Sequence, residues 1–276
     1  MLKRHLAPLL KDRTIHSVEV RRERVIRPTS VRRLQRTLRG ATFSDLSRRG
    51  KFLIFTLRKD ESNEPIILVG HLGMTGRMYL QAREGLLPKH AALLLGLGED
   101  RFVFEDTRYF GRFTLDTRTV EELGPEPLSG EFTCDRFAEA LERSRQPIKV
   151  KLLDQRMVAG IGNIYASEAL FRAGISPGLA AESLTAKQVE RLRHAIRDVL
   201  QRAVEGGSTV PLNYNGAAGR DGLFYFGRAA GTPDSYSERL QVYDRAGQPC
   251  PRCATPIKRR IQAARSTFYC PQCQRR

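Results

Sequence analysis

The chain has 276 residues, 41% of them hydrophobic, which is enough for two modest domains and a small appended module. Lys and Arg number 47 against 30 Asp and Glu, a formal net charge of +17, and such an excess calls for a polyanionic partner, usually nucleic acid. No apolar run is long enough to cross a bilayer, no Lys-rich amphipathic membrane helix stands out, and the Pro-interrupted start lacks a signal-peptide pattern; a cytoplasmic, nucleoid-associated protein is expected, with nothing to indicate an oligomer.

In chain order, a helix is expected over 2–10, followed by strands. Residues 15–20 alternate, 51–57 form a short β-rich run, and 66–72, 91–97 and 101–106 follow at turn-separated spacing. Several such strands suggest a sandwich or barrel. The turn-rich stretch Leu123-Gly124-Pro125-Glu126-Pro127-Leu128 reads as an interdomain linker.

Beyond it the period becomes helical. Pro147 suits the first turn of a helix, and Ala159-Gly160-Ile161-Gly162-Asn163 makes a glycine turn into a second helix ending near Gly174. The glycines let backbone approach a phosphate, and Asn163 sits where helix amides converge on an anion, although an ordinary helix corner with a capping Asn gives the same pattern. Thr185-x-x-Gln188 makes a capping box, flanked by Leu184 and Val189 as a hydrophobic staple. Val189, Leu192, Ile196, Val199, Leu200 and Ala203 then share one face, and Gly206-Gly207 ends the helix. Residues 208–238 form a long loop rich in Gly, Asn, Asp and Ser, of the functional or mobile kind.

The last segment carries the most specific local signal. Cys250, Cys253, Cys270 and Cys273 are spaced C-x2-C-x16-C-x2-C, which suits one tetrahedral Zn2+ in a closed structural site. Two chance CxxC pairs or two disulfides are the competing reading, weakened because only Cys134 is left over and there is no secretory context. The intervening residues 257–269 are basic at one end and strand-like at the other, as in a β-hairpin finger. Cys134 is left over and is expected to be a core or near-linker thiol.

These segments occur together with Ser47-Arg48-Arg49-Gly50-Lys51, His71-Leu72-Gly73-Met74-Thr75-Gly76 and Asp106-Thr107-Arg108-Tyr109-Phe110-Gly111. The joint set resembles the formamidopyrimidine-DNA glycosylase branch of the Fpg/Nei family over nearly the whole chain. The resemblance implies an α+β protein, with an N-terminal β-sandwich (1–120), a helix–two-turn–helix domain (121–207), a lesion-capping loop region (208–240) and a C-terminal zinc β-hairpin finger (241–276). It implies double-stranded DNA carrying oxidised purines or abasic sites, bound between the two main domains. It also implies excision of 8-oxoguanine and formamidopyrimidines, then strand cleavage at the abasic site. Lys51 resembles the lysine that assists strand elimination, and Arg265 the hairpin-tip arginine that contacts phosphate and assists the second elimination. Met74, Arg108 and Phe110 match the trio that fills the gap left by a flipped base, where two apolar wedges and a guanidinium replace stacking and pairing. His90, Arg145, Lys149 and Asn163 match DNA-contacting positions. Ala263-Ala264 stand where many relatives have Gly, and Gly227 to Glu238 is a longer loop than usual.

Family members begin Met-Pro-Glu, and the proline amine attacks C1′ of the damaged nucleotide. An α-amine suits that role because its pKa lies far below that of lysine. Here Met1-Leu2-Lys3-Arg4-His5 matches the first helix just after that segment. Three expectations follow: a longer native product that is fully active, a catalytically impaired lesion-binding paralogue, or weak lyase activity through Lys51 alone. The first is favoured, because a non-catalytic protein need not keep Lys51 and Arg265.

Overall fold

The structure is a computed structural model that describes residues 2–59, 62–205 and 240–275. The chain divides into two compact units, one reaching to Glu121 and one starting at Glu122. The long loop 208–238, with its 227–238 extension, and the Gly206-Gly207 helix stop lie outside the described residues.

The N-terminal unit opens with α1 (Leu2–Leu10), whose Leu2, Leu6 and Leu10 are buried at helical spacing. It continues through β1 (Ser17–Val20), a helical turn at Glu23–Val25 and a second helix, α2 (Val31–Leu38), in a region expected to hold mostly strands. Ser30 caps α2 by accepting from the Arg33 N–H at 3.3 Å, and Leu34 and Leu38 face the core. The remaining strands are β2 (Thr42–Arg49), β3 (Phe52–Lys59), β4 (Ser62–His71), β5 (Gly76–Ala82), β6 (Ala91–Leu97), β7 (Asp100–Asp106) and β8 (Arg112–Thr114). They form two antiparallel four-stranded sheets, ordered β1-β6-β7-β5 and β2-β3-β4-β8.

Alternation drives the burial: on β3, Leu53, Phe55 and Leu57 point inward while Ile54 and Thr56 are half-buried. Phe55 of one sheet meets Phe102 of the other edge-to-face, with ring centroids 5.9 Å apart, and also touches Phe113 at 5.4 Å. One apolar core therefore joins both sheets with α1 and α2, the packing of a β-sandwich.

After α3 (Arg118–Glu121), the C-terminal unit is helical: α4 (Cys134–Glu142), the single turn α5 (Ile148–Lys151), α6 (Asn163–Ala173) and α7 (Ala186–Glu205). Thr133 caps α4, and Cys134 is its first residue, half-buried. Thr185 and Gln188 cap α7 reciprocally: the Thr185 N–H donates to Gln188 Oε1 at 2.8 Å, and the Gln188 N–H to Thr185 Oγ1 at 3.3 Å. Gly174 ends α6 in the left-handed region at φ 65°, which only glycine adopts without steric cost. The expected helix after Pro147 is one turn long, with Pro147 at its N-cap.

The strands β9 (Lys258–Gln262) and β10 (Arg265–Tyr269) form the antiparallel hairpin of the finger. It packs on α6 through Phe171, which shares a small core with Val242, Cys250, Ile257, Phe268 and Cys270. Glu168 ties the same helix to the chain entering the finger. Its buried carboxylate accepts from the N–H groups of Gln241, Val242 and Tyr243, each at 2.9 Å.

Candidate nucleic-acid interface and metal centre

In the N-terminal unit, four segments bring the expected residues to one end of the sandwich. The β2–β3 hairpin turn is Gly50-Lys51. Gly50 supplies a positive φ of 55°, and Lys51 stands exposed at the tip. Across from Phe52 lies His71, the last residue of β4, with ring centroids 4.7 Å apart. Burial pushes the His71 imidazole down to about 4, helped by the charges of Lys51 and Arg112 and opposed by Asp106. Its Nδ1 accepts from the Gly73 N–H at 3.0 Å. The neutral ring therefore carries its proton on Nε2, leaving a donor beside the Lys51 turn.

The segments 72–76 and 107–111 lean on each other backbone to backbone. Gly73 has φ 65°, and a Cβ there would lie 2.6 Å from the Gly111 nitrogen. The fully buried Asp106 carboxylate joins them: it accepts from the Thr75 hydroxyl, from the Arg108 N–H at 3.1 Å and from the Gly111 N–H at 2.7 Å. This clamp holds outward the side chains that would otherwise pack inside. Met74 is 57% exposed and Phe110 is 42% exposed, values that separate them from ordinary core residues. Arg108 lies over the Phe110 ring at 4.8 Å, Arg24 over the same ring at 5.5 Å, and Arg22 over Tyr109 at 5.2 Å. His90 is half-buried, its ring 6.5 Å from Tyr109 and its carbonyl accepting from the Asp106 N–H at 3.1 Å.

In the C-terminal unit a second cluster forms around the finger. Asn163 is the first residue of α6; its cap is Gly162, so the Asn163 side chain is not spent on capping. Its Nδ2 donates to the Ser266 carbonyl of β10 at 2.9 Å, and its Oδ1 accepts from Lys149 Nζ, which also reaches the Ser266 carbonyl at 3.4 Å. Lys149 is fully buried. Burial, then the charges of Arg265 and Arg260, push its ammonium down to about 8. Arg265, next to Ser266, is exposed. Arg145 sits apart from this cluster, its side chain 92% exposed and 3.6 Å from Glu182.

The hairpin tip is Ala263-Ala264, both left-handed at φ 46° and 58°. Two consecutive left-handed residues make the turn that suits a twisted hairpin. The tip of this chain thus keeps that turn without glycine and carries the steric cost of two Cβ atoms.

The four cysteines are free thiols whose sulfurs all lie within 4.8 Å of one another. Cys250–Cys273 are 3.9 Å apart, Cys253–Cys270 3.5 Å and Cys253–Cys273 3.4 Å. Sulfurs around a tetrahedral Zn2+ at ~2.3 Å stand about 3.8 Å apart, so the residues fit the ion and not two disulfides. The N–H groups of Arg252 and Cys273 donate to the Cys250 and Cys270 sulfurs at 3.4 Å, which suits thiolates held as ligands.

Residues 1–113 match the family model for the formamidopyrimidine-DNA glycosylase N-terminal domain, 123–213 that for its H2TH domain, and 247–276 that for the zinc finger found in FPG and IleRS. The chain belongs to the formamidopyrimidine-DNA glycosylase family. It is 43% identical to the formamidopyrimidine-DNA glycosylase of Symbiobacterium thermophilum over 99% of this chain and 86% of that protein. Against the Thermus thermophilus enzyme it is 40% identical over 99% and 95%. The Lactococcus lactis Fpg in complex with a FAPY-dG containing DNA superposes with a TM-score of 0.83 at 30% identity, covering 100% of this chain and 97% of that one. The same enzyme non-covalently bound to an AP-site DNA gives 0.83 at 31% with the same coverage. One structural zinc is the cofactor of the family's finger, held here by Cys250, Cys253, Cys270 and Cys273.

Two features of the site are not legible in the sequence. His71 has no role that its motif announces, and only its cross-strand place beside the Lys51 turn marks it. The clamp made by Asp106 depends on hydrogen bonds that residue types do not reveal. Among the described residues no helix is long and apolar enough to cross a membrane.

Proposed function

We infer that this chain is a base-excision-repair DNA glycosylase that removes oxidised purines, and that it also cleaves the abasic strand. The observation that carries this reading is the full-length likeness to Fpg complexes holding FAPY-dG and AP-site DNA, together with an exposed Met–Arg–Phe trio on a rigid clamp. In this reading, the damaged nucleotide is flipped out and Met74 and Phe110 enter the vacated stack. Arg108 meets the orphaned base with a fixed fork of donors. Asp106 holds both loops so that the wedge is formed before DNA arrives, which lowers the ordering cost of binding.

An amine attacks C1′, the glycosidic electron pair leaves with the base, and the resulting iminium makes the sugar acidic enough for elimination of the phosphates. Lys51 and the neutral His71 flank that sugar: the ammonium favours the departing phosphate, and the Nε2–H offers a further hydrogen bond. In the C-terminal unit, Arg265 holds phosphate at the lesion, supported by Lys149 and Asn163; His90 of the N-terminal unit and Arg145 of the C-terminal one contact the flanking backbone. Zinc supplies the rigidity of the finger; the chemistry belongs to the side chains.

The test is borohydride trapping on an 8-oxoguanine duplex, with the chain from Met1 and with one carrying the family's whole N-terminal segment, Met-Pro-Glu-Leu-Pro-Glu-Val-Glu, ahead of Leu2. Trapping by the extended chain is expected. If it binds the duplex yet yields no covalent species, the enzyme reading is lost. Trapping by the chain from Met1, abolished by Lys51→Ala, would assign a lyase nucleophile to Lys51.

A further inference from the structure

The helix α2 has no part in the site described above, yet its outer face is unusual. Arg32, Arg33 and Arg36 are exposed on an eight-residue helix that contains no Asp or Glu, and Arg39 follows at its C-cap. Arg32 and Arg36 are four apart and Arg33 and Arg36 three apart, a like-charge arrangement that destabilises a helix. Arg32 and Arg33 also occupy the first turn, where the dipole disfavours cations. None of the four pairs with a carboxylate among the described residues. Arg33 acts electrostatically on Asp116, a carboxylate that is already held by Arg118 through bonds of 2.8 and 3.0 Å.

The inner face shows that the helix is firmly seated. Leu34 and Leu38 are fully buried, and Gln35 Nε2 donates to the Val18 carbonyl at 3.1 Å. Lys59 at the end of β3 adds a further cation there, its Nζ donating to the Arg36 carbonyl at 2.9 Å. A self-repelling surface on a rigid support breaks a local rule without a compensating carboxylate among the described residues, a pattern that suits an external ligand.

The patch follows closely in sequence on residues that touch the loops proposed to face DNA. Arg22 and Arg24, which lie over Tyr109 and Phe110, belong to the segment leading directly into α2. Along β3 the patch lies roughly 23 Å from the Lys51 turn, at ~3.3 Å per residue. That distance spans about seven base pairs of duplex at ~3.4 Å each.

We propose that the arginine face of α2 binds the phosphate backbone of duplex DNA outside the lesion site. The continuity step rests on the reading that Arg108 and Phe110 face DNA; the charge argument does not. The phosphates come either from duplex flanking the lesion or from a second duplex, and both have the same chemistry. Such a contact retains the enzyme on undamaged DNA between lesions, because backbone charge neutralisation carries no sequence information.

The test compares the parent with the R32Q/R33Q/R36Q variant by fluorescence anisotropy against salt, on undamaged duplexes of about 12 and about 40 base pairs. On the long duplex, the slope of log K against log salt is expected to fall by about 2.7, ~0.9 for each phosphate that an arginine no longer neutralises. Excision from the short lesion duplex is expected to stay unchanged. If the slope falls with the long duplex alone, the source is flanking DNA. If the short duplex shows it and the parent joins two differently labelled duplexes, the source is a second duplex. An unchanged slope with both lengths overturns the proposal and leaves α2 a solvated face. So does a variant whose only defect is binding a Glu-rich peptide. Phe110→Ala, run in parallel, keeps the two readings apart: loss of lesion preference without slope change speaks for the site alone.

Discussion

In the N-terminal unit the wedge residues Met74, Arg108 and Phe110 are exposed, and the group that organises them, Asp106, is buried. In the C-terminal unit the proposed DNA ligand Lys149 is itself buried, bonded to Asn163 and the Ser266 carbonyl. The first arrangement displays apolar wedges that can be truncated without disturbing the fold. The second merges recognition with packing, so the same atoms serve both stability and binding. Perturbations should therefore separate folding from function in one unit and couple them in the other.

The largest break is removal of the metal. Structural zinc contributes on the order of 10 kcal/mol to such modules, and the finger shares its core with α6 through Phe171. Chelation, or Cys270→Ser, is expected to abolish DNA binding and to lower the melting temperature of the C-terminal unit. Metal analysis should give one zinc per chain. A preparation that binds lesion DNA at full affinity with no metal would refute the finger's role.

Glu168→Gln comes next. The carboxylate now accepts three backbone N–H groups; the amide loses the charge and turns a donor toward one of them. A destabilisation of about 2–4 kcal/mol is expected, read by chemical denaturation, with reduced DNA affinity because the entry to the finger loosens. A change within ~0.5 kcal/mol would show that the anchor is dispensable.

This anchor also marks what the sequence can convey. Helix α7 is legible because its capping box and apolar stripe are local. The zinc ligands are legible because their spacing alone meets the ion's geometry. Glu168 is not, since its partners lie more than seventy residues away and an isolated Glu inside a helix is unremarkable. Helix α2 is hidden because only Leu34 and Leu38 mark its buried face among the arginines. Strand β2 is hidden because a bulge between Phe43 and Asp45 interrupts its alternation. The Lys51, Met74, Arg108 and Phe110 positions rest on family resemblance, and composition alone would place Met74 and Phe110 in a core.

Met74→Ala with Phe110→Ala sharpens the comparison from the other side. Both residues are exposed, so unfolding free energy is expected to move by less than about 0.5 kcal/mol. Preference for lesion over undamaged duplex should fall by roughly 1–3 kcal/mol, since the unstacked gap is left unfilled. Asp106→Asn is expected to lose both stability and preference. Equal stability losses in the double alanine variant and in Asp106→Asn would erase the distinction between displayed wedge and buried clamp.

The smallest effect is a pH dependence carried by Lys149. Its pKa is lowered from 10.5 to about 8 by burial and by Arg265 and Arg260. Between those values the unfolded chain holds more protons than the folded one, so this group makes stability rise with pH across that window. DNA binding runs the other way: phosphate needs the ammonium, which is lost above about pH 8. Raising the pH from 7 to 9 is therefore expected to flatten the salt slope by the share of one phosphate, ~0.9, while the melting temperature does not fall on account of this residue. Lys149→Gln should flatten the slope at pH 7 and abolish its pH dependence, and Lys51→Gln should leave that dependence in place. The two units would then differ in a measurable way: a titrating cation, Lys149, in the buried cluster, and in the N-terminal one an imidazole, His71, that burial already holds neutral near pH 7.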